Sequence, residues 1–295
     1  MPFVGLGVGI GRQRFVGGGF VGLLDTYSGA AAAYSLRLLR SGYTGDAIEV
    51  RRASDNTTQD IGFVDGELDV TSLESFCSGT NGFVTTWYDQ SGNAINATQT
   101  TAANQPQIVN AGNLIIQGSK PTVRFDGVNS VLQTDSINFS TTNNITYFIA
   151  LQKQSDANLG IALELTPNAD ANNGSFFLTA PRNNGVDSYG VRSKLSLNQE
   201  ITVTGFTAPI YNLISCINSG SVPLLSLFIN NANVGTNTNS QGVGNFQNSN
   251  VFIGSRIVNN LFFNGNIQEI IFYPTDQSSN LNDINTNIND FYSIY

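Results

Sequence analysis

The chain has 295 residues, 40% of them hydrophobic and only 12% charged, with a formal net charge of -8 and no histidine. The missing histidine excludes Ser-His-Asp and Cys-His catalysis and every histidine-based metal site. The acidic balance argues against nucleic acid as a partner, because phosphates need a basic patch. No apolar run in the sequence approaches the ~20 residues that span a bilayer, so no membrane partner is expected.

Residues 1–24 are a glycine-rich arm with Arg12 and Arg14 in its middle, whereas a secretory signal would put its charge first. The arm reads either as a docking segment in a larger assembly or as a terminal strand of its own domain. Residues 25–295 show no repeat, linker or composition break and are expected to form one domain. Residues 28–40 (SGAAAAYSLRLLR) predict a helix: alanines favour it, Ser28 can cap it, and Gly42 can end it. Residues 47–52 alternate as a half-buried strand, 70–76 suit a short helix, and 83–88 and 121–125 suit strands.

From residue 145 the pattern is a succession of short strands separated by Asn, Gly and Ser turns: 145–151, 160–165, 175–179, 189–191, 201–203, 211–217 and 224–229. Residues 251–273 read as strand, turn, strand, with Asn264-Gly265 supplying turn chemistry. Both faces of 267–273 are largely apolar, which predicts a central strand covered on both sides. Glu269 breaks that pattern and is expected to pair with Arg124 or Arg256. In the tail, Leu281, Ile284, Ile288, Phe291 and Tyr295 recur at helical spacing behind Ser279 as a cap, so a helix should lie across one edge of a sandwich.

Single residues carry two readings each. Asp89, Gln90 and Asn93, and likewise Asp126 and Asn129, have oxygens suited to a sugar or Ca²⁺, or they hydrogen-bond their own turns. Trp87 offers a stacking face to a sugar or belongs to the core. No cofactor is expected apart from that Ca²⁺ option. Cys77 and Cys216 read as two buried thiols or one disulfide.

Two stretches carry resemblances. PTVRFDGVNSVL (121–132), SLFINNANVG (226–235) and VFIGSRIVNNLFFNGNIQEIIFY (251–273) resemble the concanavalin A-like, laminin-G-like jelly rolls. AYSLRLLRSGYTGDAIEVRRASDNTTQDIGF (33–63) and LESFCSGTNGFVTTWYDQSGNAINATQT (73–100) are similar to the start of the catalytic domain of the α-L-arabinofuranosidase B family. Both imply an all-β, concanavalin A-like jelly-roll sandwich of two antiparallel sheets, to which the residue spacing adds a few short helices, including the C-terminal one. The second also implies a retaining glycosidase, which needs two carboxyl groups about 5 Å apart.

The family's nucleophile is a glutamate in an Asn-Ala-Glu segment beside adjacent cysteines. The matching segment here is Asn168-Ala169-Asp170, without the cysteines, and Glu164 is the fallback. The acid/base aspartate maps onto Ser255 or Arg256, neither of which is a carboxyl acid. The sequence is also similar to phage and marine bacterial surface proteins. The leading expectation is therefore a non-enzymatic virion surface subunit: a bacteriophage decoration, head-fibre or tail-adhesin protein with a lectin-like fold. It would be homo-oligomeric, joined to other virion subunits through its arm, and would bind glycans for host attachment. The alternatives are an arabinofuranosidase-type glycoside hydrolase and a secreted or cell-surface carbohydrate-binding module.

Overall fold

The computed structural model describes residues 19–166, 168–220, 224–257 and 260–295. The docking role expected of the arm falls mostly on residues 1–18, outside the described residues. Two antiparallel sheets enclose the main core. One runs through Val123–Asp126 and Ala32–Ser35 side by side on one edge of Asn264–Tyr273, then Ile145–Lys153, Ile210–Asn218, Leu225–Ile229 and Ala232–Asn237. The other runs Leu132–Thr134, Val251–Ile253, Ile161–Leu165, Ser175–Thr179, Ser188–Lys194 and Asn198–Thr204. A meander of Ile48–Arg52, Thr58–Ile61, Gly82–Trp87 and Gln107–Asn110 closes one end and joins both sheets. The result is a jelly-roll-like sandwich.

The strands form where β-branched and aromatic residues cluster, because such side chains fill a pleated, half-buried surface. The turn after Leu225–Ile229 puts Asn230 and Asn231 at φ 51° and 64°, the left-handed region asparagine tolerates. Across the core, Tyr147 stacks on Phe176 at 5.3 Å and both contact Phe272, so the sheets are joined through three aromatic rings.

Several expectations are corrected. Residues 28–40 are not helical: Ala32–Ser35 is a strand paired with residues 269–272, and all four of its residues are buried. Alanine's helix preference is worth only tenths of a kcal/mol per residue, and the open edge of the central strand outweighs it. Val251–Ile253 and Asn264–Tyr273 do not form a hairpin; they lie in different sheets, and residues 254–263 cross between them. Glu269 pairs with neither Arg124 nor Arg256. Arg37 grips it in a fork, Nε to Oε2 at 2.8 Å and Nη2 to Oε1 at 2.9 Å, and Ser35 Oγ donates to Oε2 at 2.7 Å.

The C-terminal helix spans Leu281–Tyr292 and starts from Asn280 rather than Ser279. It lies on the outer face of the first sheet, not across an edge. Leu281, Ile284, Ile288 and Tyr292 pack there with Phe148, Leu213, Ile271 and Tyr273. Each such side chain withdrawn from water contributes roughly 1.5–3 kcal/mol. The central strand Asn264–Tyr273 is thus covered on both faces, and every residue after Asn264 in it is buried.

Candidate functional site

The second sheet carries charge on the face turned away from the core. Leu163, Leu165, Phe176, Leu178 and Val191 point into the main core. On the opposite face, register aligns Phe252, Glu164, Phe177, Arg192 and Glu200 as one row across five strands. Strand alternation therefore places an acid, an aromatic ring, a guanidinium and a second acid side by side.

Two loops complete the site. The amide of Ala169 donates to Glu164 Oε1 at 2.9 Å, and Ser175 Oγ donates to the Ala169 carbonyl at 3.1 Å, which pins residues 168–170 above the sheet. Asp170 then accepts from Arg192 and from Arg256. Arg256 arrives on the loop after Val251–Ile253. Gly254 turns that loop at φ +90°, with its Cα so close that a Cβ would sit 2.2 Å from the Phe125 ring. Arg256 Nε donates to both oxygens of Glu164, at 3.0 and 3.2 Å. One guanidinium thus bridges the two carboxyl groups. Arg182 and Arg192 both reach Glu200, and Arg182, Arg192 and Arg256 surround the Phe177 ring at 5.6, 4.7 and 5.9 Å from its centroid.

The two carboxyl groups sit in different surroundings. Glu164 has no exposed side-chain surface, and burial pushes its pKa up to about 7 against the opposing pull of the Ala169 amide and Arg256. Asp170 is 44% exposed. Glu164 therefore resists ionisation near neutrality, while Asp170 is held by two guanidiniums at a half-exposed position.

The structure thus brings together Asp170 and Glu164, and it sets the remaining candidates apart from them. Trp87 is fully buried against Tyr34 and presents no face to solvent. Asp89 is buried and accepts from the amides of Ala33, Ser91 and Ile95 and from Ser91 Oγ. Gln90 bonds Leu39, Ser35 and Arg37, and Asn93 bonds the Ala30 and Ala31 carbonyls. These residues brace the strand that the sequence presents as a helix. Asp126 accepts three amides of its own turn, including that of Asn129. Among the described residues no group of three or more carboxylate or cysteine side chains is placed to hold a metal ion. Cys77 and Cys216 are free and buried. Arg192, Glu200 and Phe177 escaped the sequence reading; the available signal was charge in strands of otherwise apolar or small residues.

The model of the catalytic region of alpha-L-arabinofuranosidase B matches residues 25–158. Alpha-L-arabinofuranosidase B of Aspergillus oryzae is 39% identical over 85 residues, 26% of this chain and 17% of the relative. That of Penicillium canescens is 38% identical over 71 residues, 23% of this chain and 15% of the relative. The chain therefore covers about a sixth of these relatives' length. Among solved structures, an arabinofuranosidase complexed with arabinofuranosyl-alpha-1,2-xylobiose superposes with a TM-score of 0.64 at 16% identity, over 88% of this chain and 62% of that one. The binding domain of Paraclostridial Mosquitocidal Protein 1 gives 0.52 at 17% identity, over 70% and 49%. At such identities the likeness establishes the fold: a β-sandwich similar to the GH54 arabinofuranosidase domain. The expected non-enzymatic bacteriophage subunit is overturned by these matches, which point to a glycoside hydrolase.

Proposed function

We propose that the chain is an arabinofuranosidase-type glycoside hydrolase whose carboxyl pair is Asp170 and Glu164. The carrying observation is that both carboxyl groups meet on the Arg256 guanidinium while Glu164 is held protonatable near neutrality. The match over residues 25–158 supports the substrate class, although both acids lie beyond the matched segment.

In this reading Asp170 attacks the anomeric carbon of an arabinofuranosyl unit as the glycosidic C–O bond breaks, and Glu164 gives its proton to the departing oxygen. Glu164, now a carboxylate, takes a proton from water, which attacks the same carbon and releases Asp170. Arg256 must withdraw from between the acids to admit the sugar. Glycans are the partner, and a secreted location suits the reading. The test is hydrolysis of 4-nitrophenyl α-L-arabinofuranoside. Wild type should release nitrophenol, and Asp170→Asn and Glu164→Gln should each lower kcat by about 10²–10⁴-fold. An inactive wild type overturns hydrolysis.

The seating of Arg256 on both acids favours one second reading, a secreted module that binds such glycans and leaves them whole. Binding of arabino-oligosaccharides without cleavage would select it.

A further inference from the structure

Two loops, residues 40–45 and 88–96, line a second, open pocket of about 350 Å³, with Arg40, Tyr43, Gly45, Tyr88, Gly92 and Asn96 among its walls. That volume lies within the roughly 300–1,000 Å³ of small-molecule sites. None of its lining residues belongs to the Glu164 cluster.

Arg40 is the cation among the lining residues, and like Arg51 and Arg124 it forms no ion pair among the described residues. Arg37, Arg52, Arg182, Arg192 and Arg256 are all ion-paired. Among the described residues Arg40 makes a single hydrogen bond, from Nη1 to the Ser91 carbonyl at 3.0 Å, and its Nε is buried without a partner; Asp25 is near enough to feel its charge but makes no ion pair with it. That Nε is shut off from solvent, but Nη2 makes no hydrogen bond among the described residues and is not shut off, so it is the donor open to a ligand. The turn is shaped around this side chain: Gly92 has φ +100°, and a Cβ there would lie 2.5 Å from Arg40 Nη1. Asp89 fixes the same turn through Ser91 and Ile95.

The other walls define the ligand. Asn96 accepts from the Asp89 amide through Oδ1, which leaves its NH₂ group as a donor. Tyr43 and Tyr88 supply half-buried rings. Tyr88 Oη donates to Asp60 at 2.7 Å, and Asp46 lies close enough to Asp60 for their charges to repel. Among the lining residues Asp89 balances Arg40 in charge, so the site suits a neutral molecule rich in hydroxyls. Vicinal hydroxyls accept from guanidinium and amide N–H groups, and a ring's apolar face packs on an aromatic side chain.

We infer that this pocket is a second, non-hydrolytic saccharide site for a neutral sugar unit of the glycan that the Asp170–Glu164 site would cleave. The sugar's identity as part of that glycan rests on the proposed function; the existence of the site does not. The test uses the full chain carrying Asp170→Asn, a change at a half-exposed side chain that prevents loss of ligand by cleavage. It is titrated with α-1,5-linked L-arabinotriose and with arabinofuranosyl-xylobiose. Hydrogen exchange at residues 40–45 and 88–96 should slow on saturation, and adding Arg40→Met should weaken that binding at least tenfold. The exchange measurement stands even if the Arg40 variant fails to fold. Unchanged exchange at both segments, or affinity unaffected by Arg40→Met, overturns the inference. Arg40-dependent binding to a chain whose wild type cleaves no arabinofuranoside would sink the proposed hydrolysis and leave this site intact.

Discussion

Arg256 donates from Nε to both carboxylate oxygens of Glu164, 92 positions earlier in the chain, and the same guanidinium reaches Asp170. The pair fastens the loop after one strand to the face of its neighbour, so the two carboxyl groups are held by one cation. Removing the cation should therefore affect both stability and ionisation.

Arg256→Met should destabilise the fold by roughly 2–4 kcal/mol, less than a wholly enclosed pair because the Arg256 side chain is 15% exposed. The loss should be larger at pH 8 than at pH 5, since Glu164 without its partner resists ionisation further. Urea midpoints at the two pH values check this, and equal losses would remove the electrostatic explanation.

The ionisation of Glu164 also sets a pH window. Its pKa is about 7 in the fold against 4.5 ordinarily, so the folded chain binds more protons than the unfolded chain between those values. The unfolding free energy should therefore fall as pH rises from about 4.5 to 7, by at most roughly 3 kcal/mol from this group. The contribution is complete below that window and absent above it. Melting curves of wild type and Glu164→Gln across pH 4–8 should differ in slope within the window; parallel curves would refute the shift.

The fork between Arg37 and Glu269 lies beneath the C-terminal helix, with Tyr292 Oη 3.2 Å from Glu269 Oε2. Glu269→Leu should cost about 3–5 kcal/mol, because it leaves a buried guanidinium unpaired. The double substitution Arg37→Met with Glu269→Leu should recover more than half of that loss. A double variant no more stable than the single one would show that packing, not charge, governs the site.

Gly254→Ala tests the backbone that delivers Arg256. The left-handed φ and the Phe125 ring both oppose a side chain there, and a loss of more than about 2 kcal/mol is expected. A stability within 0.5 kcal/mol of wild type would mean the loop relaxes freely.

Much of the architecture is legible in local pattern. Ser175–Thr179 and the helix Val70–Phe76 fall where the residues predict them, and most other strands lie within a few positions of expectation. The C-terminal stripe of Leu281, Ile284 and Ile288 does bury one helical face. The missing histidine bounds the chemistry whatever the fold.

Tertiary structure decided what depends on partners distant in sequence. Ala32–Ser35 is a strand because the central strand offers it an unpaired edge, a gain local propensity does not encode. Glu164 meets Arg256, and Phe177 meets Arg192, through sheet register, and Glu269 finds Arg37 from the far end of the chain. Periodicity shows which way a side chain faces along its own strand; only the pairing of strands determines which charges then share a face.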